Sequence, residues 1–221
     1  MTMVKPLQSG RAGVTRDKGE STLLLVFAKA PEPGQVKTRL AASLGENAAL
    51  AAHQALLDRT LCLAAAFPGP AVLMLNRAEA ATERRARELG LDIDYQQGAD
   101  LGERMERAMA WGLARADRVL LVGSDCPAMS PDYLREAADT LGQAPVVLGP
   151  SEDGGFVLLG GSDAALWRQP LFRHVAMRTD HTLADTLAAL SAHCQPRLLP
   201  MLWDVDYPKD LERARRLGLL S

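Results

Sequence analysis

Four polar groupings in this chain have residue types and spacing that could do chemistry. Asp125 follows the apolar run Val119 to Val122, with only Gly123 and Ser124 between. A carboxylate at the end of a buried strand suits Mg²⁺ or Mn²⁺ held partly by substrate phosphates. The same side chain could instead make an Asx turn or cap the helix signalled by Ser130-Pro131. Asp204 and Asp206 are two apart, with Asp210 four further on. They offer a second carboxylate for the same metal, or a cap for a helix starting near Tyr207-Pro208. Lys37 and Arg39 flank Thr38; their point charge and planar fork would neutralise phosphate oxygens. Asp153-Gly154-Gly155 would let backbone approach a ligand, or simply turn the chain between strands.

Other constellations are missing. Gly34 stands alone, so the first loop is not a Walker A loop. There is no G-x-S-x-G elbow and no G-x-G-x-x-G after a strand. His53, His174, His181 and His193 lack metal-ligand spacing. Cys126 has no indicated histidine partner for a nucleophilic role.

The groupings need a scaffold, and the hydrophobic pattern supplies one. Leu23 to Ala28 reads as a strand, running into the loop Pro31-Glu-Pro-Gly34. Strands follow at Ala71 to Leu75, Leu91 to Tyr95, Arg118 to Val122, Pro145 to Leu148 and Phe156 to Leu159, with a late one at Arg197 to Met201. Helices are expected over Glu46 to Phe67, Glu79 to Leu89, Leu101 to Ala116, from Ser130-Pro131 onward, through most of Asp163 to Leu190, and over Pro208 to Leu217. Met105 and Met109 recur with Leu101 and Leu113 on one helical face and read as core. This βαβ alternation predicts an α/β fold of three layers, α/β/α, with a mostly parallel central sheet. In such a sheet the loops after strands gather on one edge. The segments 29–39, 96–104, 123–127 and 149–155 are then expected to share a cleft, with 203–210 as a further contributor.

The 221 residues suffice for a sizeable core. With no linker and no repeat, they read as one domain, 21–221, behind a loosely ordered arm, 1–20. Net charge is −2 with no basic block, which argues against nucleic acid as a partner. No apolar run approaches the ~20 residues needed to span a bilayer, and the first twenty carry no hydrophobic leader core. Cys62, Cys126 and Cys194 are far apart and odd in number, which suits a reducing cytoplasm.

Five blocks occur in order: FAKAPEPGQVKTRL (Phe27 to Leu40), QGADLGERM (Gln97 to Met105), VGSDCP (Val122 to Pro127), LGPSEDGGFVLLG (Leu148 to Gly160) and DVDYPKDL (Asp204 to Leu211). Together they resemble the rSAM/selenodomain-associated transferases, described also as arsenosugar-biosynthesis-type glycosyltransferases, of the GT-A nucleotide-diphospho-sugar transferase superfamily. The pattern is also similar to the 2-phospholactate and molybdenum-cofactor guanylyltransferases. The resemblance covers roughly residues 22 to 217. It implies a Rossmann-like GT-A fold and a nucleotide or nucleotide-sugar plus a small-molecule acceptor as partners.

Residue by residue, the resemblance implies that Ala28, Lys29, Ala30, Pro31 and Gly34 wrap the nucleotide, with Lys37 and Arg39 on its phosphates. Gln97 and Gly98 would lie near base or ribose, and Ser124 beside Asp125. Asp153, Gly154 and Gly155 would face acceptor or sugar, and Asp125 with Asp206 would hold the Mg²⁺ or Mn²⁺. Phe156 and Met177-Arg178-Thr179 depart from the pattern, which often has Tyr and Trp-Ser/Gly-Thr there. The activity implied is metal-dependent transfer from a nucleotide-activated donor, with Asp125, Lys37 and Arg39 catalytic. Glycosyl transfer leads; nucleotidyl transfer and non-catalytic nucleotide binding are the alternatives. Base, sugar, acceptor and oligomeric state are not specified by the sequence.

Overall fold

The computed structural model describes residues 21–220. The expected arm, 1–20, lies outside the described residues. Seven strands form one sheet: β1 (Thr22–Ala28), β2 (Ala71–Leu75), β3 (Asp92–Tyr95), β4 (Arg118–Gly123), β5 (Val146–Pro150), β6 (Phe156–Gly161) and β7 (Arg197–Leu198). Their order is β3-β2-β1-β4-β6-β5-β7. The helices are α1 (Thr38–Leu44), α2 (Glu46–Ala65), α3 (Ala80–Glu88), α4 (Leu101–Leu113), α5 (Pro131–Thr140), α6 (Thr182–Ser191) and α7 (Pro208–Arg216).

β1 shows why the layers form. Its alternate residues feed opposite faces of the sheet. Leu24 and Val26 join Leu57 and Leu61 of α2 and Leu134 and Ala137 of α5 on one face. Leu23, Leu25 and Phe27 join Met105, Ala108 and Met109 of α4 on the other. With both faces covered, β1 and β4 are near-continuous apolar runs, as parallel strands must be. The two methionines are core, as their spacing predicted.

The sheet is mostly parallel, with one departure that shapes the site. β1, β2, β3 and β4 run parallel, but β6 lies antiparallel to both β4 and β5. The β5–β6 turn therefore reaches the edge where β1 and β4 end. Two further differences concern the later chain. Where helix was expected over most of Asp163 to Leu190, only the 3-10 turn Leu166–Arg168 and α6 are helical. Pro170 interrupts the stretch, and Leu171 and Phe172 bury in the α4-side core instead of continuing a helix. β7 pairs for only two residues, where a strand to Met201 was expected.

Candidate active site

Side chains from all five expected segments line one open cleft of about 800 Å³ along this sheet edge. β1 delivers Ala28 and Lys29; the turn after it delivers Lys37, Thr38 and Arg39; β4 delivers Gly123, Ser124 and Asp125. The β5–β6 turn adds Ser151, Asp153 and Gly155, and the segment before α7 adds Asp204 and Asp206.

Lys37 organises the centre. It caps α1 in a left-handed conformation, φ 46°, ψ 47°, which a residue with a Cβ adopts only when its surroundings impose it. Its side chain is 4% exposed, with Nζ 2.8 Å from Asp125 Oδ2 and 3.4 Å from Asp206 Oδ1. Burial works against its charge, but Asp125, with Asp206 and Asp204 behind it, outweighs this and holds the ammonium above its ordinary pKa. Asp125 shows the mirror balance. Burial pushes its carboxyl up, and Lys37 more than reverses this, so its pKa falls below the usual range. Arg39 Nη1 reaches Asp206 Oδ2 at 2.6 Å.

The acidic residues before α7 are placed by alternation. Trp203 and Val205 bury against Leu40, Leu56 and Leu211, in a third core shared by α1, α2 and α7. The residues between them, Asp204 and Asp206, face the cleft. Val205 N–H donates to Asp125 O at 3.0 Å, tying this segment to the end of β4. Helix capping, the other role open to Asp206, falls to Asp210, whose Oδ2 accepts from the N–H groups of Tyr207 and Asp206. Ser130 likewise caps α5, leaving Asp125 to the cleft.

Asp153, Asp204 and Asp206 each bring a carboxylate oxygen within 4.8 Å of the others. Asp204 accepts from Ser151 Oγ at 2.8 Å. Burial first, and the neighbouring Asp153 next, push its pKa up to about 6. Three hard oxygen donors repelling one another fit a divalent cation. The sequence expectation paired Asp125 with Asp206 for this role. Asp206 belongs to the acidic group; Asp125 stands outside it and pairs with Lys37.

Other expected residues are placed less directly. Ala28, Lys29, Ser124, Asp153 and Gly155 line the cleft, whereas Ala30, Pro31, Gly34, Gln97, Gly98 and Gly154 are not among its lining residues. Ala30 is buried, its N–H held by Asn76 Oδ1 at 2.7 Å. Gln96, not Gln97, turns inward, and its Nε2 donates to Ala28 O and Met74 O. Gly98 serves the cleft indirectly: its carbonyl accepts from Nε of Arg104, which does line it. Asn76, Gln96 and His53 are cleft residues that the motifs did not single out, while Arg104 of the second block and Arg178 of the departing segment line it without having been given a role. Only the position of Asn76 and Gln96 just past strand ends could have flagged them. His53 is buried, with Nε2 3.0 Å from Lys29 O; burial lowers its pKa and keeps the ring neutral as the donor.

Comparison with known proteins places the chain. Residues 41–179 match the family described as an uncharacterized protein conserved in bacteria, DUF2064. The chain belongs to that family. No curated protein matches it. Among solved structures, it is similar to a Desulfovibrio desulfuricans G20 protein provisionally described as a nucleotide-diphospho-sugar transferase. That pair shares 28% identity and a TM-score of 0.78 over 89% of this chain and 87% of the other. The fold is also that of CMP:2-keto-3-deoxy-manno-octonic acid synthetase complexed with CTP, at 11% identity and TM-score 0.58 over 90% and 98%. Glucosyl-3-phosphoglycerate synthase from Mycobacterium tuberculosis, in complex with Mn²⁺, UDP and glucosyl-3-phosphoglycerate, shares it too. There the identity is 11% and the TM-score 0.53, over 91% and 77%. The fold is thus the GT-A, Rossmann-like one that the motifs implied.

Proposed function

We propose that this family member is a metal-dependent transferase using a nucleotide-activated donor, and that it transfers a glycosyl group from a nucleotide-diphospho-sugar. The observation that carries the reading is the meeting of Asp153, Asp204 and Asp206 beside Lys37 and Arg39 at the strand ends. The five ordered sequence blocks support placement with the rSAM/selenodomain-associated, arsenosugar-type transferases. Residues 21–221 act as one catalytic domain. The free Cys62, Cys126 and Cys194 agree with a reducing cytoplasm, and no described helix is long and apolar enough to cross a membrane.

In this reading Asp153, Asp204 and Asp206 would hold Mg²⁺ or Mn²⁺, which when bound supplies positive charge to the donor diphosphate and its leaving form. Lys37 and Arg39 bind the same diphosphate from the other side and take up charge as the bond to the sugar breaks. Asp125 keeps Lys37 protonated and fixed in place. Ala28 lines the nucleotide side, and Gln96, Asn76 and His53 hold the backbone of residues 28–30 from beneath. An acceptor hydroxyl oxygen attacks the anomeric carbon, the bond from that carbon to the diphosphate oxygen breaks, a nucleoside diphosphate leaves, and the hydroxyl proton passes to solvent.

One observation favours a second reading. Lys37 is almost fully buried between two carboxylates, a placement suited to charge on an α-phosphate under attack. That would make the enzyme a nucleotidyltransferase, releasing pyrophosphate from an NTP. ³¹P NMR of the purified protein with Mg²⁺ or Mn²⁺ separates these readings. Nucleoside diphosphate released from a sugar nucleotide is the expected result. Pyrophosphate from an NTP with a sugar phosphate would replace it with the second reading. Nucleotide binding with no turnover across both panels would overturn catalysis altogether.

A further inference from the structure

The cleft holds a second cationic feature that the acidic corner does not use. Arg178 lines it, in the turn before α6. Lys37 and Arg178 are the two non-glycine residues with positive φ among those described, 46° and 67°. Arg178 is therefore held in an unfavourable backbone state, and its turn is built to hold it. Thr182 Oγ1 shares its one hydrogen between Ala176 O and Thr179 O, at 2.9 and 2.8 Å, and accepts from Thr179 N–H at 3.0 Å. The turn sits on the β5–β6 loop: Leu183 N–H donates to Gly154 O at 2.9 Å, and a Cβ on Gly154 would lie 2.1 Å from Asp180 O. The guanidinium makes no hydrogen bond or ion pair with any described residue.

Lys29 faces the same space from the end of β1, with a long 3.4 Å bond to Gln35 O as its hydrogen bond. Lys29 is exposed, and partial desolvation first and Arg178 next lower its pKa, while Asp125 pulls the other way. Both cations line the same cleft, and neither is ion-paired with a described carboxylate. Lys37 and Arg39, by contrast, are both matched to carboxylates.

We propose that Lys29 and Arg178 form a subsite for a phosphate monoester on the second substrate, separate from the diphosphate position at Asp153, Asp204 and Asp206. Assignment to the second substrate rests on the transferase reading above; the anion site does not. Two cations match the nearly two negative charges of a phosphate monoester at neutral pH. Arg supplies a fork and Lys a point charge for its three oxygens. The acceptor class is then a phosphorylated small molecule.

The test is NMR titration of the full chain with methyl phosphate, with and without saturating UDP and Mn²⁺. Arg178→Gly removes the charge and also relieves the left-handed backbone, so the variant folds at least as stably as the parent. It is expected to weaken methyl phosphate binding about tenfold, the scale of one charge-assisted contact at an open site. Arg178→Lys should stay within about threefold of the parent. Methyl phosphate should still bind when UDP and Mn²⁺ are present. Affinity unchanged by Arg178→Gly overturns the subsite. Displacement of methyl phosphate by UDP and Mn²⁺ assigns these cations to the donor instead and overturns the acceptor role. If UDP fails to bind while methyl phosphate still depends on Arg178, the anion site stands and the nucleotide reading is what fails.

Discussion

The two halves of the sheet bring functional groups to one edge by different routes. In the parallel half, β3-β2-β1-β4, each strand runs toward the cleft and drops its loop there, as repeated βα units require. Those loops contribute Lys29, Lys37, Asn76, Gln96 and Asp125. In the other half the regular pattern is broken. β6 runs antiparallel, so its starting end meets the cleft, and the β5–β6 turn arrives with Asp153. Asp204 and Asp206 come from neither strand nor helix; they are suspended from buried Trp203 and Val205. All three neighbouring carboxylates belong to the second half, whereas the parallel half brings Lys37 with its partner Asp125. Charge repulsion is thus concentrated in the second half, and Lys37 is where the two halves are neutralised together.

That contrast can be broken most severely at Lys37. Lys37→Met strands Asp125 beside a nonpolar chain and leaves Asp206 with Arg39 alone. Transfer is expected to fall about a thousandfold, the upper scale for one charge-stabilising group, in single-turnover rates. Asp125→Asn keeps the shape but releases Lys37. The expected loss is about a hundredfold in kcat/KM, and an unchanged rate would remove Asp125 from the mechanism.

The third prediction sharpens the difference in kind. Asp204 has a folded pKa of about 6, above its ordinary 3.8. A carboxyl with a raised folded pKa favours folding most fully below its unfolded pKa, and that contribution is lost as pH rises through about 6. At pH 7, Asp204→Asn is therefore expected to stabilise the metal-free protein by ~1–2 kcal/mol, discounted for partial exposure. It should also weaken Mn²⁺ binding. In the parent, Mn²⁺ affinity should fall as pH drops through about 6. Denaturant melts at pH 7 and pH 5 check the first part: the stabilisation should shrink at the lower pH.

The smallest effect belongs to the parallel half. Asn76→Ala leaves the Ala30 N–H without its 2.7 Å acceptor and should cost about 1 kcal/mol of stability, with kcat changed less than threefold.

The same contrast explains what could be read from sequence. The strand Leu23 to Ala28, the loop positions of Lys37 and Asp125, and α4 with its buried methionines are local patterns. Each appears in the structure nearly where periodicity put it. The gathering of the four loops after strands at one edge was also legible from parallel topology, whereas the place of 203–210 beside them was not. What stayed hidden depends on long-range pairing. The antiparallel placement of β6 is what brings Asp153 to Asp204 and Asp206. The Asp153-Gly154 turn signals the β5–β6 hairpin locally, but nothing near it specifies that β6 also lies against β4. Arg178 showed in sequence only as a departure from the family pattern; its backbone state was not legible, because its turn is shaped by contact with Gly154, distant in sequence. Gln96 and Gln97 differ only in which side chain turns inward, and that is settled by the carbonyls of Ala28 and Met74.

The most direct test is Mn²⁺ binding by EPR at pH 7.5, comparing the parent with Asp206→Asn and Asp125→Asn. Convergence of the two halves on one acidic corner predicts that Asp206→Asn weakens Mn²⁺ binding at least about tenfold. Asp125→Asn, altering a residue outside the acidic group, should leave it within about threefold. Equal binding by the parent and Asp206→Asn, or loss confined to Asp125→Asn, would contradict that account and put the metal at the end of β4.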